Sequence, residues 1–483
     1  MNYRMIFGNL GTVLCIEAAL MTLASIVSAI YGQDDVYAFL ISIAILIVVG
    51  FLLHLLKPKD GQMYARDGFA TVALSWLFIS LFGALPYFIS GAIPTPIDAF
   101  FESVSGFSTT GATVLTDIES LPRGILFWRS FTHWVGGMGV LALMLAILPS
   151  VKANTVHMLV AESPGPTPGK LVPKLGQTVK ILYVIYSAMT ALQIILLIIS
   201  GMPVYDSVIH ALGTAGTGGF SIRSTSIGAY NNVFSEVVIA VFMFLFGTNF
   251  ALYYRMIRGN LKSCLRDAEF RFYLGTVLVS TVLITLDLTG KVFGSFWEAL
   301  RHSSFQVSSI ITTTGYSTAD FNLWPSFSKA ILMLLLFIGA SAGSTAGGIK
   351  CIRIVLLMKL VRREVHRIIH PRSVYTVRIN GKAVDEDVLS GVTVFFYAFM
   401  CIFAIALLIV SLEGKDMISN FTAVATCIGN VGPGLGIVGP MGNFSSYSVL
   451  SKAVFTFCMI AGRLEIMPVL LLLAPTFWKK VNI

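Results

Sequence analysis

Long apolar runs, separated by short polar or glycine-rich segments, follow one another along almost the whole chain. The first two runs, residues 7–31 and 37–56, have the length of about 20 residues that a helix needs to cross a bilayer. A short polar segment, residues 33–35, joins them. This pattern predicts a transmembrane hairpin at the N-terminus, within residues 1–60.

After the hairpin, the pattern changes to a unit that occurs four times: a long apolar run, a shorter and less apolar stretch, a glycine-rich segment and a second long run. Each unit predicts a membrane helix, a pore helix with its loop, and another membrane helix. The predicted units span 68–150, 177–262, 269–372 and 386–478, and their predicted pore helices span 97–107, 206–215, 296–311 and 417–428. We therefore predict an all-α polytopic membrane protein, in which four membrane-helix/pore-loop/membrane-helix repeats form a pseudo-fourfold arrangement beside the hairpin.

Composition supports a membrane protein. Hydrophobic residues make up 56% of the chain and charged residues 12%, and the mean hydropathy is +0.82, whereas soluble proteins carry about 25% charged residues. The six cysteines form no C-x-x-C pair, so we predict neither a disulfide framework nor a zinc site. The first apolar run is too long for a cleaved signal peptide and is expected to stay as a helix.

The net charge of +9 is informative through its placement. We place both termini and every inter-repeat loop on the cytoplasmic side of the cell (inner) membrane. Roughly two dozen of the 33 Lys and Arg residues then lie inside, as the positive-inside rule expects. The basic charge therefore indicates membrane topology and contact with lipid, and no nucleic-acid partner is predicted.

The glycine-rich segments of the four units share a shape, which is clearest in Thr-Thr-Thr-Gly-Tyr-Ser at 312–317. Glycine permits backbone conformations that other residues avoid, so successive carbonyl groups can point the same way. A ring of such carbonyls can replace the hydration shell of a cation, as in potassium-channel filters. One copy alone would be interpreted as an extracellular turn, whereas four copies in equivalent positions favour a pore.

Four key glycines, which recur about every 100 residues, mark the copies: Gly111, Gly218, Gly315 and Gly432. With their neighbours they form the predicted filter, whose backbone carbonyls would coordinate the ion: Thr109, Thr110, Gly111, Ala112, Gly216, Thr217, Gly218, Gly219, Thr313, Thr314, Gly315, Tyr316, Asn430, Val431, Gly432 and Pro433.

Small residues at 339–348 interrupt the second helix of the third unit. Non-helical backbone at membrane depth is tolerated where it is buried in protein or lines a water-filled cavity, so we predict a flexible gating loop under the filter. Its residues are Gly339, Ala342, Gly343, Ser344, Thr345, Gly347, Gly348 and Lys350. A phosphate-binding loop is rejected here, because Ile349 separates the second glycine from the lysine.

A few ionisable residues lie within the predicted spans and pore helices. Arg463 and Glu465 form either a structural salt bridge with each other, or a site where Arg463 lies near the permeation path and repels cations. Asp98 and Glu102 either stabilise the start of the first pore helix or concentrate cations at a pore mouth. His210 is interpreted as a packed, hydrogen-bonded residue, with a metal or proton-relay role as the alternative. Because no catalytic constellation lies within the spans, the protein is not predicted to be an enzyme.

Taken together, these residues resemble the TrkH family of the Trk/Ktr/HKT superfamily of potassium-uptake proteins over essentially the full chain. The motifs that carry the resemblance are the filter copy at 108–113, Trp-Val-Gly-Gly-Met-Gly at 134–139, the small-residue loop ending in Gly-Gly-Ile-Lys at 347–350, and Gly-Arg-Leu-Glu at 462–465. The two leading helices favour this type over the shorter KtrB type.

The resemblance implies a homodimer in which each subunit has its own pore for K⁺. It also implies a cytosolic ring of TrkA-like, nucleotide-binding subunits that acts on the gating loop, so nucleotide is expected on that partner and not on this chain. Arg463 would be the arginine below the filter, and Gly111 at the first filter position is associated with K⁺ selectivity. The second and fourth copies lack the threonine pair, so we expect weaker discrimination of K⁺ from Na⁺.

Two transport mechanisms are compatible with this pattern. The first is gated, channel-like K⁺ uptake driven by the electrochemical gradient. The alternative is a symporter that couples K⁺ to Na⁺ or H⁺, which would need more ionisable residues along the path than the sequence offers.

Overall fold

The structure, a computed structural model, describes residues 1–58, 65–147, 175–373 and 375–478. These residues form an all-α protein, as predicted. The last residues of the predicted hairpin, 59–60, the end of the first predicted repeat, 148–150, and residues 151–174 after it lie outside the described residues.

The helices are numbered here in chain order. The first eight are α1 (Tyr3–Ile30), α2 (Val36–His54), α3 (Ala65–Gly83), α4 (Leu85–Ile89), α5 (Pro96–Phe107), α6 (Arg123–Ile147), α7 (Leu175–Ile199) and α8 (Val204–Gly216). The next seven are α9 (Val233–Phe246), α10 (Phe250–Ile257), α11 (Leu261–Leu265), α12 (Ala268–Leu288), α13 (Phe296–Ile311), α14 (Ser326–Leu335) and α15 (Cys351–Ile369). The last five are α16 (Glu386–Ser411), α17 (Met417–Gly429), α18 (Val449–Arg463), α19 (Met467–Leu473) and α20 (Pro475–Trp478).

The short elements lie between these helices. In the described part of the chain, three 3₁₀ helices span Ser226–Tyr230, Phe321–Leu323 and Gly436–Val438. Two short strands, β1 (Arg378–Ile379) and β2 (Lys382–Ala383), pair antiparallel, with Arg378 opposite Ala383. They form a small hairpin between α15 and α16.

Among the described residues, six segments are long and apolar enough to cross a membrane as single helices: α1, α2, α3 together with α4, α7, α12 and α16. The pair α9 and α10 makes a seventh span, bent by 93° at its break. Large apolar side chains on these helices point outward; Leu286 is 62% exposed and Leu408 is 71% exposed. Helices that are apolar on all faces are typical of membrane spans, whose outer surface contacts lipid tails.

Three of the predicted membrane spans are interrupted between two helices. The sequence predicted only the middle interruption, which the structure places at 336–350 between α14 and α15. Between α9 and α10, the side chain of Asn249 accepts a hydrogen bond from the Ala251 amide and so starts a new helix. Between α18 and α19, Glu465 and Ile466 both have positive φ angles, 55° and 67°, which an α-helix cannot contain.

Four short helices, α5, α8, α13 and α17, have bounds within two residues of the predicted pore helices. Each carries an acidic residue at its start: Asp98, Asp206 and Glu298 lie in the first turns, and Asp416 caps α17 by accepting a hydrogen bond from the Ser419 amide. Carboxylates at these positions are stabilised by the positive end of the helix dipole. The opposite ends of all four helices are buried in the middle of the protein.

The N-terminal hairpin packs closely through glycine. A Cβ on Gly11 would overlap the Gly50 carbonyl oxygen of α2, and a Cβ on Gly50 would lie 2.8 Å from the Cys15 sulfur of α1. Small residues at such crossings allow the backbones of membrane helices to approach each other. Helix α1 also contacts α3 and α6, so this crossing positions the hairpin against the first predicted repeat.

Replacing Gly11 by Leu should therefore destabilise the protein by about 1–3 kcal/mol, because the new side chain forces α1 away from α2. The measurement is the Tm of the purified protein in detergent. Gly391→Leu is the matched control: Gly391 also lies within a membrane helix, α16, but nothing lies within 4 Å of its built Cβ. Equal Tm values for the two variants would contradict this packing.

Candidate functional site

The four helices α5, α8, α13 and α17 end in the same backbone turn. In each turn the residue after the helix, or the next one, adopts the left-handed conformation, and a glycine with positive φ follows two residues later. The left-handed residues are Thr109, Thr217, Thr313 and Asn430, with φ of 56°, 55°, 56° and 54°. The glycines are Gly111, Gly219, Gly315 and Gly432, with φ of 79°, 74°, 85° and 97°.

One hydrogen bond is repeated in all four turns. The donor is the backbone amide of the residue that lies between the left-handed residue and the glycine. It donates to the carbonyl of the residue five positions earlier, in the preceding helix. The four bonds are Thr110 to Ser105 at 2.9 Å, Gly218 to Gly213 at 2.9 Å, Thr314 to Ser309 at 2.8 Å, and Val431 to Thr426 at 2.9 Å. This is the pattern with which helices often end at a left-handed residue.

The repeated turn corrects the predicted register of the second copy. Gly219, and not Gly218, occupies the position of Gly111 in the first copy. Gly218 corresponds to Thr110, and the ring of His133 fills the space where a Gly218 Cβ would lie. Gly216, predicted as part of the filter, is the last residue of α8 and lies before the turn. Sequence alone could not choose between Gly218 and Gly219, because adjacent glycines give no mark of register.

The four turns meet in a closed ring. A Cβ on the glycine of each turn would overlap or crowd a carbonyl oxygen of the next turn in chain order, and the fourth turn returns to the first. The pairs are Gly111 with the Gly218 oxygen, Gly219 with the Thr314 oxygen, Gly315 with the Val431 oxygen, and Gly432 with the Thr110 oxygen. In every pair, the oxygen belongs to the residue just before the next turn's glycine. Only glycine permits both this approach and the positive φ.

On one side, the ring opens into a small cavity. All four turn glycines line it, together with the residues that follow them, including Ala112 and Pro433. A ring of backbone carbonyls can replace the water around a cation. The arrangement is suited to coordinating an unhydrated monovalent cation.

Side-chain hydrogen bonds connect neighbouring turns. Asn430 donates from Nδ2 to Thr110 Oγ1 at 2.9 Å and to the Met459 carbonyl at 2.9 Å. Tyr316 donates to the carbonyls of His210 and Phe220, at 3.2 and 3.3 Å. Asn430 therefore joins the fourth copy to the first, and Tyr316 joins the third to the second. From the sequence, both residues are predicted to act only through their backbone carbonyls.

A buried ion pair supports the first two copies from behind. Glu102 of α5 and Arg129 of α6 lie 2.5 Å apart and are 0% and 2% exposed. Glu102 also accepts hydrogen bonds from Thr113 Oγ1 and the Val114 amide, just after Gly111. Breaking such a buried pair costs about 3–5 kcal/mol, because one charge is left unpaired.

Arg129 extends this support to the second copy. It donates to the Ser221 carbonyl at 3.0 Å, and its guanidinium lies 3.6 Å from the centre of the Phe220 ring. Both interpretations offered for Glu102 are wrong, since the residue neither caps α5 nor faces the mouth. Arg129 was missed, although an arginine within an apolar run is a signal that the sequence does show.

The other ionisable residues are also placed. Asp98 accepts from Thr95 Oγ1 at 2.6 Å and pairs with Lys452 at 2.6 Å. His210 hydrogen-bonds through Nδ1 to the Asp206 carbonyl and through Nε2 to Ser221 Oγ, so it is the packed, hydrogen-bonded residue of the first interpretation. Within the described ranges, no group of three or more His, Cys, Asp or Glu side chains could hold a metal ion.

The small-residue segment is non-helical, as predicted, and it lies directly against the third turn. The Gly347 amide donates to Thr313 Oγ1 at 2.7 Å, and a Cβ on Gly347 would lie 2.7 Å from the Gly429 carbonyl at the end of α17. The segment therefore contacts both the third turn and the end of α17.

Backbone hydrogen bonds tie the same segment to the broken helix of the second unit. Ser341 donates to the Gly247 carbonyl at 3.0 Å, and Phe250 donates to the Gly343 carbonyl at 3.0 Å. The break between α9 and α10 thus exposes backbone groups that the segment uses. A flexible loop was predicted; the described loop is held by hydrogen bonds on both sides.

Glu269 of α12 connects this segment to the start of α15. Its Oε1 accepts from the Ala342 amide at 2.6 Å and from the Ile352 amide at 3.1 Å. Lys350 turns back and donates to the Ala346 and Gly347 carbonyls. The sequence does not reveal this role of Glu269, because the residue lies about 70 residues before the segment and no local pattern joins them.

Arg463 and Glu465 do not pair with each other. Arg463 donates to the Thr345 carbonyl at 2.8 Å and to the Gly136 and Gly137 carbonyls of α6 at 2.5 and 3.1 Å. Glu465 pairs instead with Arg353 of α15. The reversal of the backbone at Glu465 and Ile466 separates the two side chains, so the interpretation as a mutual salt bridge is wrong.

The register of the second copy can be tested by rescue. Gly218→Ala should lower the Tm in the wild-type background and have little effect in a His133→Ala background, because the His133 ring is the obstacle. Gly219→Ala should lower the Tm in both backgrounds, because its obstacle is the Thr314 backbone and its φ is 74°. If the His133→Ala background rescued Gly219→Ala and not Gly218→Ala, Gly218 would be the turn glycine instead.

Comparison with known proteins identifies the family. Residues 36–480 match the family model "TrkH: Cation transport protein". The Trk system potassium uptake protein TrkH of Salmonella typhimurium is 36% identical over 99% of this chain and 100% of its own. TrkG of Escherichia coli K12 is 35% identical, over 94% of each chain. The crystal structure of the potassium transporter TrkH from Vibrio parahaemolyticus superposes with a TM-score of 0.89 at 33% identity, covering 99% of this chain and 100% of that one. These relatives are transporters and not enzymes, and the chain described here belongs to the TrkH family of membrane cation transport proteins.

Proposed function

We propose that this chain takes up K⁺ through a channel-like filter built from the four backbone turns, with the four units as pseudo-fourfold repeats. The observation that carries the proposal is the closed ring of glycine–carbonyl approaches, because a ring of carbonyls is what an unhydrated K⁺ requires. The names of the relatives, which are potassium uptake proteins, support K⁺ as the ion.

The driving force is the electrochemical gradient across the cell (inner) membrane. A membrane potential supplies about 2.3 kcal/mol per charge per 100 mV, so inward flux against a modest K⁺ gradient needs no coupled ion. The alternative, symport with Na⁺ or H⁺, remains the competing mechanism, and the experiment below separates the two.

The gate is the segment at 339–348, held closed beneath the filter by Arg463 and Glu269. Its hydrogen bond from Gly347 to Thr313 means that the segment leaves the filter only when this bond breaks. Lys350 and Arg463 bring positive charge to backbone carbonyls around the segment, which opposes a cation at the same place.

We further propose that the gate responds to a partner. The working assembly is a homodimer in which each subunit has its own pore, with both termini of the chain in the cytoplasm. A cytosolic, nucleotide-binding, TrkA-like ring acts on the segment through α15, which continues directly from it and carries the exposed basic residues Arg362 and Arg367.

The first test is cation flux into proteoliposomes that contain the purified chain alone. We expect K⁺ flux driven by the membrane potential without any Na⁺ or H⁺ gradient, and a lower K⁺/Na⁺ permeability ratio for Gly315→Ser, because a side chain there meets the Val431 carbonyl. An unchanged ratio would refute the filter assignment. Flux that requires a Na⁺ or H⁺ gradient would establish the symporter instead.

Arg463→Ala should raise K⁺ flux in the same proteoliposomes, because it removes a positive charge and the hydrogen bonds by which Arg463 joins Thr345 of the closed segment to α6. Arg363→Ala is the control: Arg363 also forms charged contacts, with Glu364 and Glu386, but away from the segment. Lower flux from a well-folded Arg463→Ala protein would show that this arginine does not restrict the pore.

A further inference from the structure

A groove of about 780 Å³ lies on the outer surface, between α9, α12 and α13. Its walls are mostly apolar, including Val237, Val241 and Val277. Val237 and Val241 are each about half exposed. Because these helices face the bilayer, the groove opens to lipid and not to water. Its size is within the range of ligand sites in proteins.

The groove has one polar end. Glu236 of α9 and Arg301 of α13 form an ion pair there, with Arg301 Nε 3.3 Å from Glu236 Oε2. Glu298 lies one turn before Arg301 and is exposed, and Trp297 is 75% exposed beside it. Tryptophan is enriched where membrane meets water, so this end of the groove is placed at the level of lipid headgroups.

The dimensions fit one leaflet. On α9, the groove runs from Val233 to Phe244, which is about 17 Å at 1.5 Å per residue. Half of a hydrocarbon core is about 15 Å. In the chain, Val233 comes shortly after Ser226, which lines the filter cavity. Phe244, at the other end of the groove, comes shortly before Gly247, whose carbonyl accepts a hydrogen bond from the gating segment. The polar end therefore belongs to the leaflet on the cavity side.

The charges at the polar end are of both signs. The Arg301 guanidinium is 25% exposed and its partner Glu236 is 3% exposed. Their Nε and Oε2 atoms are buried and lack hydrogen-bond geometry, and Arg301 Nη2 lies 3.0 Å from His302 Nε2. Guanidinium groups bind phosphate well, while the exposed Glu298 carboxylate attracts a cation and repels a purely anionic headgroup.

We propose that this groove binds one phospholipid whose headgroup carries both a phosphate and an ammonium group, such as phosphatidylethanolamine. The phosphate contacts Arg301, the ammonium contacts Glu298, and an acyl chain fills the apolar groove against α13. This pore helix ends in the third filter turn, so the lipid covers the back of the filter. The binding follows from the membrane position of the groove and does not depend on the transport mechanism proposed above.

The test is lipid retention by the full purified chain, measured by native mass spectrometry after detergent washing and addition of phosphatidylethanolamine and phosphatidylglycerol with identical acyl chains. We expect phosphatidylethanolamine to be retained in preference. Ala240→Trp, which fills the groove, should reduce retention about tenfold or more. Val282→Trp is the matched control, because Val282 is a 54% exposed residue of α12 that does not line the groove.

The headgroup contacts have their own variants. Glu236→Gln with Arg301→Gln keeps two polar partners but removes both charges, and it should reduce retention without loss of the folded protein. Glu298→Gln should reduce the preference for phosphatidylethanolamine over phosphatidylglycerol. Equal retention by Ala240→Trp and Val282→Trp would overturn the site. A preference for phosphatidylglycerol in the wild-type chain would overturn the headgroup assignment.

A second copy of this chain is the competing occupant. If the groove is an interface between subunits, Ala240→Trp should convert a dimer to a monomer while lipid retention stays as in the wild type. That result, measured by the mass of the same samples, would overturn the lipid proposal. Loss of lipid with no change in oligomeric mass would support it.

Discussion

The structure depends on four backbone turns that approach each other too closely for any side chain. In each turn, the glycine lies against a carbonyl of the next turn, and the fourth turn closes on the first. The approach requires positive φ at the glycine and a left-handed residue two positions earlier. The left-handed conformation is costly for threonine, so the surrounding protein must hold the first three turns in place.

The supports differ from turn to turn although the turns are alike. The first two are held by the buried pair of Glu102 and Arg129, while the third is held by the Tyr316 hydroxyl and the fourth by the Asn430 side chain. The backbone conformation is the same in all four turns, whereas the supporting side chains differ. This is expected in a single chain, because each turn has different neighbours. It also means that each turn can be perturbed separately.

Below the turns, broken helices supply the backbone groups that hold the non-helical segment. At the break between α9 and α10, backbone groups form hydrogen bonds with residues 341 and 343. The turn after Arg463 separates that arginine from Glu465. Arg463 is thereby free to bind the Thr345, Gly136 and Gly137 carbonyls. Non-helical backbone within a membrane is tolerated here because other protein groups form hydrogen bonds with its amides and carbonyls.

The sequence by itself determined the elements whose cause is local. Apolar runs predicted the membrane helices, shorter apolar stretches before the glycine-rich segments predicted four short helices, and the run of small residues at 339–348 predicted non-helical backbone. Hydrophobic length and glycine content are properties of adjacent residues, so they can be recognised without a fold. For this reason, the predicted bounds of the pore helices lie within two residues of the bounds of α5, α8, α13 and α17.

Tertiary structure alone decided what depends on distant partners. Gly219 replaced Gly218 as the turn glycine, because the choice rests on the space beside His133 and Thr314. Glu102 pairs with Arg129, and Glu465 pairs with Arg353. Such pairings depend on where a buried charge can find a partner when helices pack, since an unpaired charge there is costly, and sequence neighbours do not indicate that partner.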